Sequence, residues 1–184
     1  MKNASKEHAP PPPDPIRAAV ITVSDRRSRG EGEDLSGPAV ERALASAGIS
    51  AVSRETVPDE LDTIKAAILR LAASHDLVVT TGGTGLSPRD VTPEATRAVM
   101  DREIPGLAEA MRRESAKTTV HALLSRAVCA DVRGALVVNL PGSPKGAEEN
   151  LLAILPAVPH AVRLLRGKVR DCAEDLAASA PRKR

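Results

Sequence analysis

The 184-residue chain contains no phenylalanine, tyrosine or tryptophan. Aromatic side chains carry much of the burial in most protein cores. This chain must instead fill its interior with small aliphatic pieces. It has the material: 18 Leu, 7 Ile and 17 Val, with 30 Ala among the 42% of hydrophobic residues. That content is too high for a wholly disordered chain, and the length suits one domain of ordinary size. The missing rings also exclude a function class, because single-stranded nucleic acids are bound on aromatic stacking platforms. A net charge of +2 implies no strong field for a polyanion. No nucleic-acid partner is expected.

The two cysteines, Cys129 and Cys172, form no CxxC pair, which argues against a structural zinc site and a disulfide scaffold. Cys129 reads as a small buried strand residue. No stretch approaches 18 consecutive apolar residues, and Met1–His8 has no apolar signal region. No membrane partner is expected, and a cytoplasmic location is.

Composition divides the chain into three parts. Residues 1–15 end in Pro10–Pro13, Asp14 and Pro15 and read as a disordered Pro-rich leader. Residues 16–172 read as the folded domain, and residues 173–184 as a flexible basic tail. Within the domain, strand and helix patterns alternate. Ile16–Val23 reads as a buried strand, Pro38–Ala47 as a helix stopped by Gly48, and Ile49–Val57 as an alternating strand. Leu61, Ile64, Ile68 and Leu71 make a helical stripe, and Leu77-Val78-Val79 is a short buried strand. Thr92-Pro93-Glu94 reads as a helix start with Thr92 as N-cap. A helix over 106–115, strands near 127–132 and 135–140 joined at Arg133-Gly134, and helices near 145–155 and 156–165 complete the chain. This order implies a three-layer αβα sandwich with a mostly parallel sheet and an antiparallel edge.

Three polar, glycine-bearing loops follow predicted strands: Ser24–Gly30, Thr80–Gly85 leading to Asp90, and Asn139–Lys145. Open α/β sheets bind ligands at the carboxyl ends of their strands. The run Thr81-Gly82-Gly83-Thr84-Gly85 lets backbone amides approach an anion, with threonine hydroxyls beside them. It is neither a Walker A loop nor the Rossmann fingerprint, since no Gly-Lys-Ser/Thr follows and position 88 is Pro. A tight strand-to-helix turn with a polar rim is the plain alternative. Others stand beside it. Asp59, after Pro58 and before a helix, suits an N-cap. Asp90 suits a turn into the next helix. Ser24 and Asp25 suit a strand-end turn, and Pro141-Gly142 is turn chemistry with Ser143 capping the helix after it. Arg26, Arg27 and Arg29 form either a phosphate clamp or a solvated charge run.

The run Val78–Pro93 resembles the signature of the molybdenum-cofactor biosynthesis family, in which Ser/Thr precedes Gly-Gly-Thr-Gly and Asp stands five residues after the last Gly. The resemblance extends through Asp101–Gly106, Leu124–Ala127 and Asn139–Lys145, and begins at Thr22–Asp25. The family includes MogA, MoaB and the gephyrin G domain. The resemblance implies a three-layer αβα domain that assembles as a homotrimer. It implies ATP- and Mg²⁺-dependent adenylylation of molybdopterin, giving adenylylated molybdopterin and pyrophosphate before molybdate insertion, with an insertase as a further partner. Asp59 and Asp90 match the two catalytic aspartates, and some silent MoaB members lack the first. A catalytically silent pterin-binding or scaffold protein is the alternative. On this reading Asp90 holds the metal, and Asp59 either shares it or holds water and ribose groups. Thr81, Gly82, Gly83, Thr84 and Gly85 cradle the molybdopterin phosphate. Pro141, Gly142, Ser143 and Lys145 border the pterin or dithiolene end, and Ser24 and Asp25 lie on the nucleotide side.

Overall fold

Arg-Ala-Ala-Val-Ile-Thr-Val forms strand β1 (Arg17–Val23), buried at every residue after the first. A strand buried on both faces belongs in the middle of a parallel sheet covered by helices. So it is in the computed structural model, which describes residues 15–49 and 51–167. The same continuous burial marks β3 (Leu77–Thr81) and β6 (Ala135–Leu140). With β2 (Ala51–Val57), β4 (Arg102–Glu103) and β5 (Cys129–Val132) they form one sheet in the order β2-β1-β3-β6-β5-β4. The pairs β2-β1, β1-β3 and β3-β6 are parallel, while β5 runs antiparallel to both of its neighbours. The β5–β6 turn is Arg133-Gly134, with φ of 53° and 82°. Two successive positive φ values are what a tight hairpin turn requires.

One face of the sheet is covered by α2 (Ser36–Ser46), α5 (Pro105–Ala116), α6 (Pro144–Ile154) and α7 (Val158–Leu165). Here Val40, Leu44, Met111, Leu151, Ile154 and Val162 pack on Val20, Leu77, Val79 and Val138. The other face carries α3 (Leu61–Ala72) and α4 (Thr92–Arg97), with Ile64, Ile68 and Ala95 against Ile21, Val78 and Val137. Small aliphatic groups do fill both layers, and the three-layer αβα expectation holds. Cys129 is wholly buried, and burial pushes its thiol up to about 12. No helix among the described residues is long and apolar enough to cross a membrane. Residues 1–14 of the leader, the tail and Cys172 lie outside the described residues.

Three capping expectations meet the structure. Ser143 caps α6, its hydroxyl accepting from the Gly146 amide at 3.2 Å. Thr92 does not cap α4; Val91 is the N-cap, and the buried Thr92 hydroxyl donates instead to the Gly82 carbonyl at 2.9 Å. Asp59 does not cap α3 either. Glu60 is the N-cap and makes no side-chain bond to the helix amides, while the Asp59 carboxylate is engaged elsewhere.

Candidate active site

The chain leaves β1 for β2 on one side and reaches β3 on the other, so the sheet order reverses at β1. Such a switch point opens a crevice at the strands' carboxyl ends. Four loops meet there. After β1, Ser24 caps the one-turn helix α1 (Asp25–Ser28), its hydroxyl accepting from the Arg27 amide at 3.4 Å. The β1–β2 ladder runs on through Ser24, whose amide donates to the Val57 carbonyl at 2.9 Å. This brings Asp25 beside Asp59. The Asp25 amide donates to Asp59 Oδ2 at 2.8 Å, and the Asp59 amide donates to Asp25 Oδ1 at 3.0 Å.

The loop after β3 is shaped by glycine. Gly82 has φ of 101°, and a Cβ there would stand 2.4 Å from the Val23 carbonyl oxygen. Its amide donates to the Leu140 carbonyl at 3.1 Å, and a Cβ on Gly142 would come 3.2 Å from Gly82 Cα. The loops after β1, β3 and β6 are therefore in backbone contact. A Cβ on Gly83 would lie 3.3 Å from Asp59 Oδ1, so the Asp59 carboxylate rests against the glycine loop. Asp90 closes the turn that follows, with Oδ2 accepting from the Ser87 amide at 3.0 Å.

The electrostatics are uneven. Hydrogen bonds from the Arg89 guanidinium and the Asp59 amide hold Asp25 below the usual carboxylate range. Asp59 is pushed up, first by burial and then by the negative charges of Asp25 and Asp90. Asp34 is held low by the Gly37 amide and the Thr22 and Ser36 hydroxyls, which outweigh its burial.

A cavity of about 280 Å³ opens beside the loop. Thr84, Gly85, Pro141 and Ser143 line it, together with Ser115, Ser125 and Asn150, which sequence reasoning did not single out. Asn150 is aimed by two bonds from its amide nitrogen, to Ser115 Oγ at 2.9 Å and the Gly146 carbonyl at 2.7 Å. Thr81 is wholly buried, and its hydroxyl is bonded to Ser36 Oγ at 2.9 Å. Lys145 is exposed and pairs with Glu149 at 3.8 Å. Asn139 lies in β6 rather than in the loop, its side chain bonded to Thr80, Thr96 and the Val128 amide. Arg29 pairs with Glu31, and Arg27 Nε donates to the Glu33 carbonyl.

With this geometry in hand, the relatives decide the family. Residues 19–160 match the family described as a probable molybdopterin-binding domain. This chain belongs to that molybdenum-cofactor biosynthesis family. The molybdopterin adenylyltransferase of Helicobacter pylori is 42% identical over 156 residues, 83% of this chain and 89% of that one. The Escherichia coli protein of that name is 39% identical over 180 residues, 89% of this chain and 92% of that one. Gephyrin of Dictyostelium discoideum is 39% identical over 83% of this chain but only 23% of its own length. Among solved structures, MoaB of Thermus thermophilus is 47% identical with a TM-score of 0.78, covering 85% of this chain and 99% of that one. The family's fold is thus the one described above.

Two arginines in this family domain escaped the sequence reading. Arg89 donates to Asp25 Oδ2 through Nε at 3.1 Å and Nη2 at 2.6 Å. Arg126 reaches the Gly85 and Asp90 carbonyls and the Glu94 carboxylate. The only available signal was that each sits in a stretch resembling the family. Their partners are far away in sequence, and no local pattern encodes them.

Proposed function

We propose that this protein transfers the adenylyl group of ATP to molybdopterin. The observation that carries the reading is the Asp25–Asp59 lock, which presses one carboxylate against the glycine loop with the Asp90 charge close by. The named relatives that cover the whole domain support the same chemistry. A phosphate oxygen of molybdopterin attacks the α-phosphorus of ATP, and the bond to the β-phosphate breaks, releasing pyrophosphate. A phosphate monoester is mostly dianionic at neutral pH, its second pKa being about 6. It needs no strong general base. The work left to the protein is to bring two anions together and hold them in line.

The chain has groups for each task. Amides of the 82–85 loop cradle the molybdopterin phosphate, and the cavity lined by Thr84, Gly85, Pro141 and Ser143 receives the pterin. Ser24 and Asp25 face the nucleotide side. The acidic pair fits magnesium: Asp59 is raised first by burial and then by the negative charges of Asp25 and Asp90, and a cation would relieve that second cause. Among the described residues no three His, Cys, Asp or Glu side chains group as metal ligands. One or two carboxylates completed by substrate phosphates is the usual magnesium arrangement. Asp59 and Asp90 would hold the ion, which when bound neutralises charge on the transferring phosphate.

The test is to incubate the purified protein with molybdopterin, ATP and magnesium. Adenylylated molybdopterin and stoichiometric pyrophosphate are expected. Pterin binding without product would turn the reading to a silent binder. We further propose a cytoplasmic homotrimer, which a solution mass of one chain at micromolar concentration would overturn. An insertase is the proposed recipient of the product, since gephyrin carries this domain within a longer chain.

A further inference from the structure

The stretch 84–90 joins the two halves of the site: Thr84 and Gly85 line the cavity, and Asp90 ends the turn. Within the stretch the hydrogen bonds are short-range, between Ser87 and Asp90 and between Ser87 and Arg89. Among the described residues, its hydrogen-bonded anchors to the rest of the fold are two arginines. One is Arg89, reaching out to Asp25 from an exposed position. The other is Arg126, which precedes β5 and is the better built of the two.

Arg126 bonds four groups. Its amide donates to the Thr84 carbonyl at 3.0 Å. Nε donates to the Gly85 carbonyl at 2.7 Å, and Nη2 to the Asp90 carbonyl at 2.5 Å. Nη1 donates to Glu94 Oε1 in the first turn of α4. The Arg126 side chain is only 30% exposed, and the other Glu94 oxygen is buried without a hydrogen-bond partner. A planar guanidinium presents its donors in a fixed fork; an ammonium presents a point charge on a flexible stem. One guanidinium therefore sets the distance between the cavity edge at Gly85 and the backbone of Asp90.

We infer that Arg126 is a positioning residue that couples the molybdopterin subsite to Asp90, so that the loop end and the carboxylate move as one body. This rests on the proposed adenylyl transfer for its kinetic readout but not for its structural one. The residue touches neither substrate in this reading. It acts through the two carbonyls.

The test uses the 184-residue chain and Arg126→Lys, which keeps the charge beside Glu94. Amide hydrogen exchange is the readout that needs no activity. Exchange over residues 85–90 should rise about tenfold or more, the size of losing one to two net hydrogen bonds, while α5 stays unchanged. Unchanged exchange at 85–90 overturns the inference whatever the protein catalyses. In the kinetic arm, kcat should fall about 10²-fold, as small misplacements of catalytic groups do. The KM for molybdopterin should stay within about threefold. Adding Asp90→Asn should slow the variant no further than Asp90→Asn alone, since both act through one group. A parent rate, or fully additive losses, would overturn the coupling. Glu94→Gln separates positioning from mere stability: it weakens the ion pair but leaves both carbonyl bonds, and the rate should hold. If the parent itself makes no product, adenylyl transfer fails, and hydrogen exchange alone decides the role of Arg126.

Discussion

Asp25 and Asp59 hold each other by two crossed bonds, each backbone amide donating to the other residue's carboxylate, at 2.8 and 3.0 Å. The pairing fastens the end of β2 to the end of β1 and leaves Asp59 Oδ1 against Gly83. It also makes Asp59→Asn informative. Asparagine keeps an acceptor for the Asp25 amide, and no helix cap is lost because Glu60 occupies that position. The melting temperature should stay near the parent value. The rate of adenylyl transfer should fall by about 10²–10³, the usual effect of removing one well-placed electrostatic partner. A parent-like rate would reduce Asp59 to a loop fastener.

Asp90→Asn should lower turnover by about 10²–10³-fold, to a rate that can still be measured, and spare molybdopterin binding. The amide side chain can still accept from the Ser87 amide, so the turn survives. What is lost is the charge that a magnesium-bound nucleotide requires. Titration calorimetry with molybdopterin should give an affinity within about threefold of the parent, a difference of at most about 0.7 kcal/mol. Turnover at the parent rate would make Asp90 a turn residue only.

The sheet and its helices were legible because their signals are local. Val20–Val23, Val78-Val79 and Val137-Val138 announce buried strands, and Gly48 and Ser143 mark real helix boundaries. The carboxylates of the site were legible as residues but not as contacts. Pro58-Asp59 has the local look of an N-cap, yet Asp25, 34 residues away, takes the carboxylate. Thr92 likewise looks like a cap and bonds the Gly82 carbonyl instead. In both cases a long-range bond outcompetes the local one, which no window of sequence reveals. Strand β4 is two exposed residues and α1 a single turn, too short for any periodicity. Arg126 carries three side-chain contacts to residues 32 to 41 positions away, so only the fold displays them.

Gly82→Ala should destabilise the whole domain. The new methyl would meet the Val23 carbonyl oxygen at 2.4 Å, and that oxygen belongs to a central strand that cannot yield. A φ of 101° adds strain that only glycine avoids. Strain of this class costs about 1–3 kcal/mol before the clash is counted. A melting temperature lower by about 10 °C is expected. A melt within a degree or two of the parent would mean that the β1 and β3 loops can separate, and that their contact is not what shapes the site.

The far end of the sheet makes a pH prediction independent of catalysis. Asp76 precedes β3 and accepts from the Arg17 amide at 2.9 Å, from Arg17 Nε at 3.3 Å and from Arg166 Nη2 at 2.6 Å. Burial pushes the carboxyl up, but Arg166 and Arg17 outweigh it and bring it down to about 2, against 3.8 ordinarily. A carboxyl lowered by folding stabilises the native state at pH values above its unfolded pKa. That stability drains as pH falls from about 4 toward 2. The drop between those values is worth about 2 kcal/mol at this partly buried site. Denaturant melts of the parent and Asp76→Asn at pH 6 and at pH 2.5 isolate the contribution, since every other carboxylate titrates in both proteins. The variant should be less stable at pH 6, and the gap should narrow as the parent acidifies. Equal gaps at the two pH values would show that Asp76 serves by shape and hydrogen bonding, with its charge irrelevant to the fold.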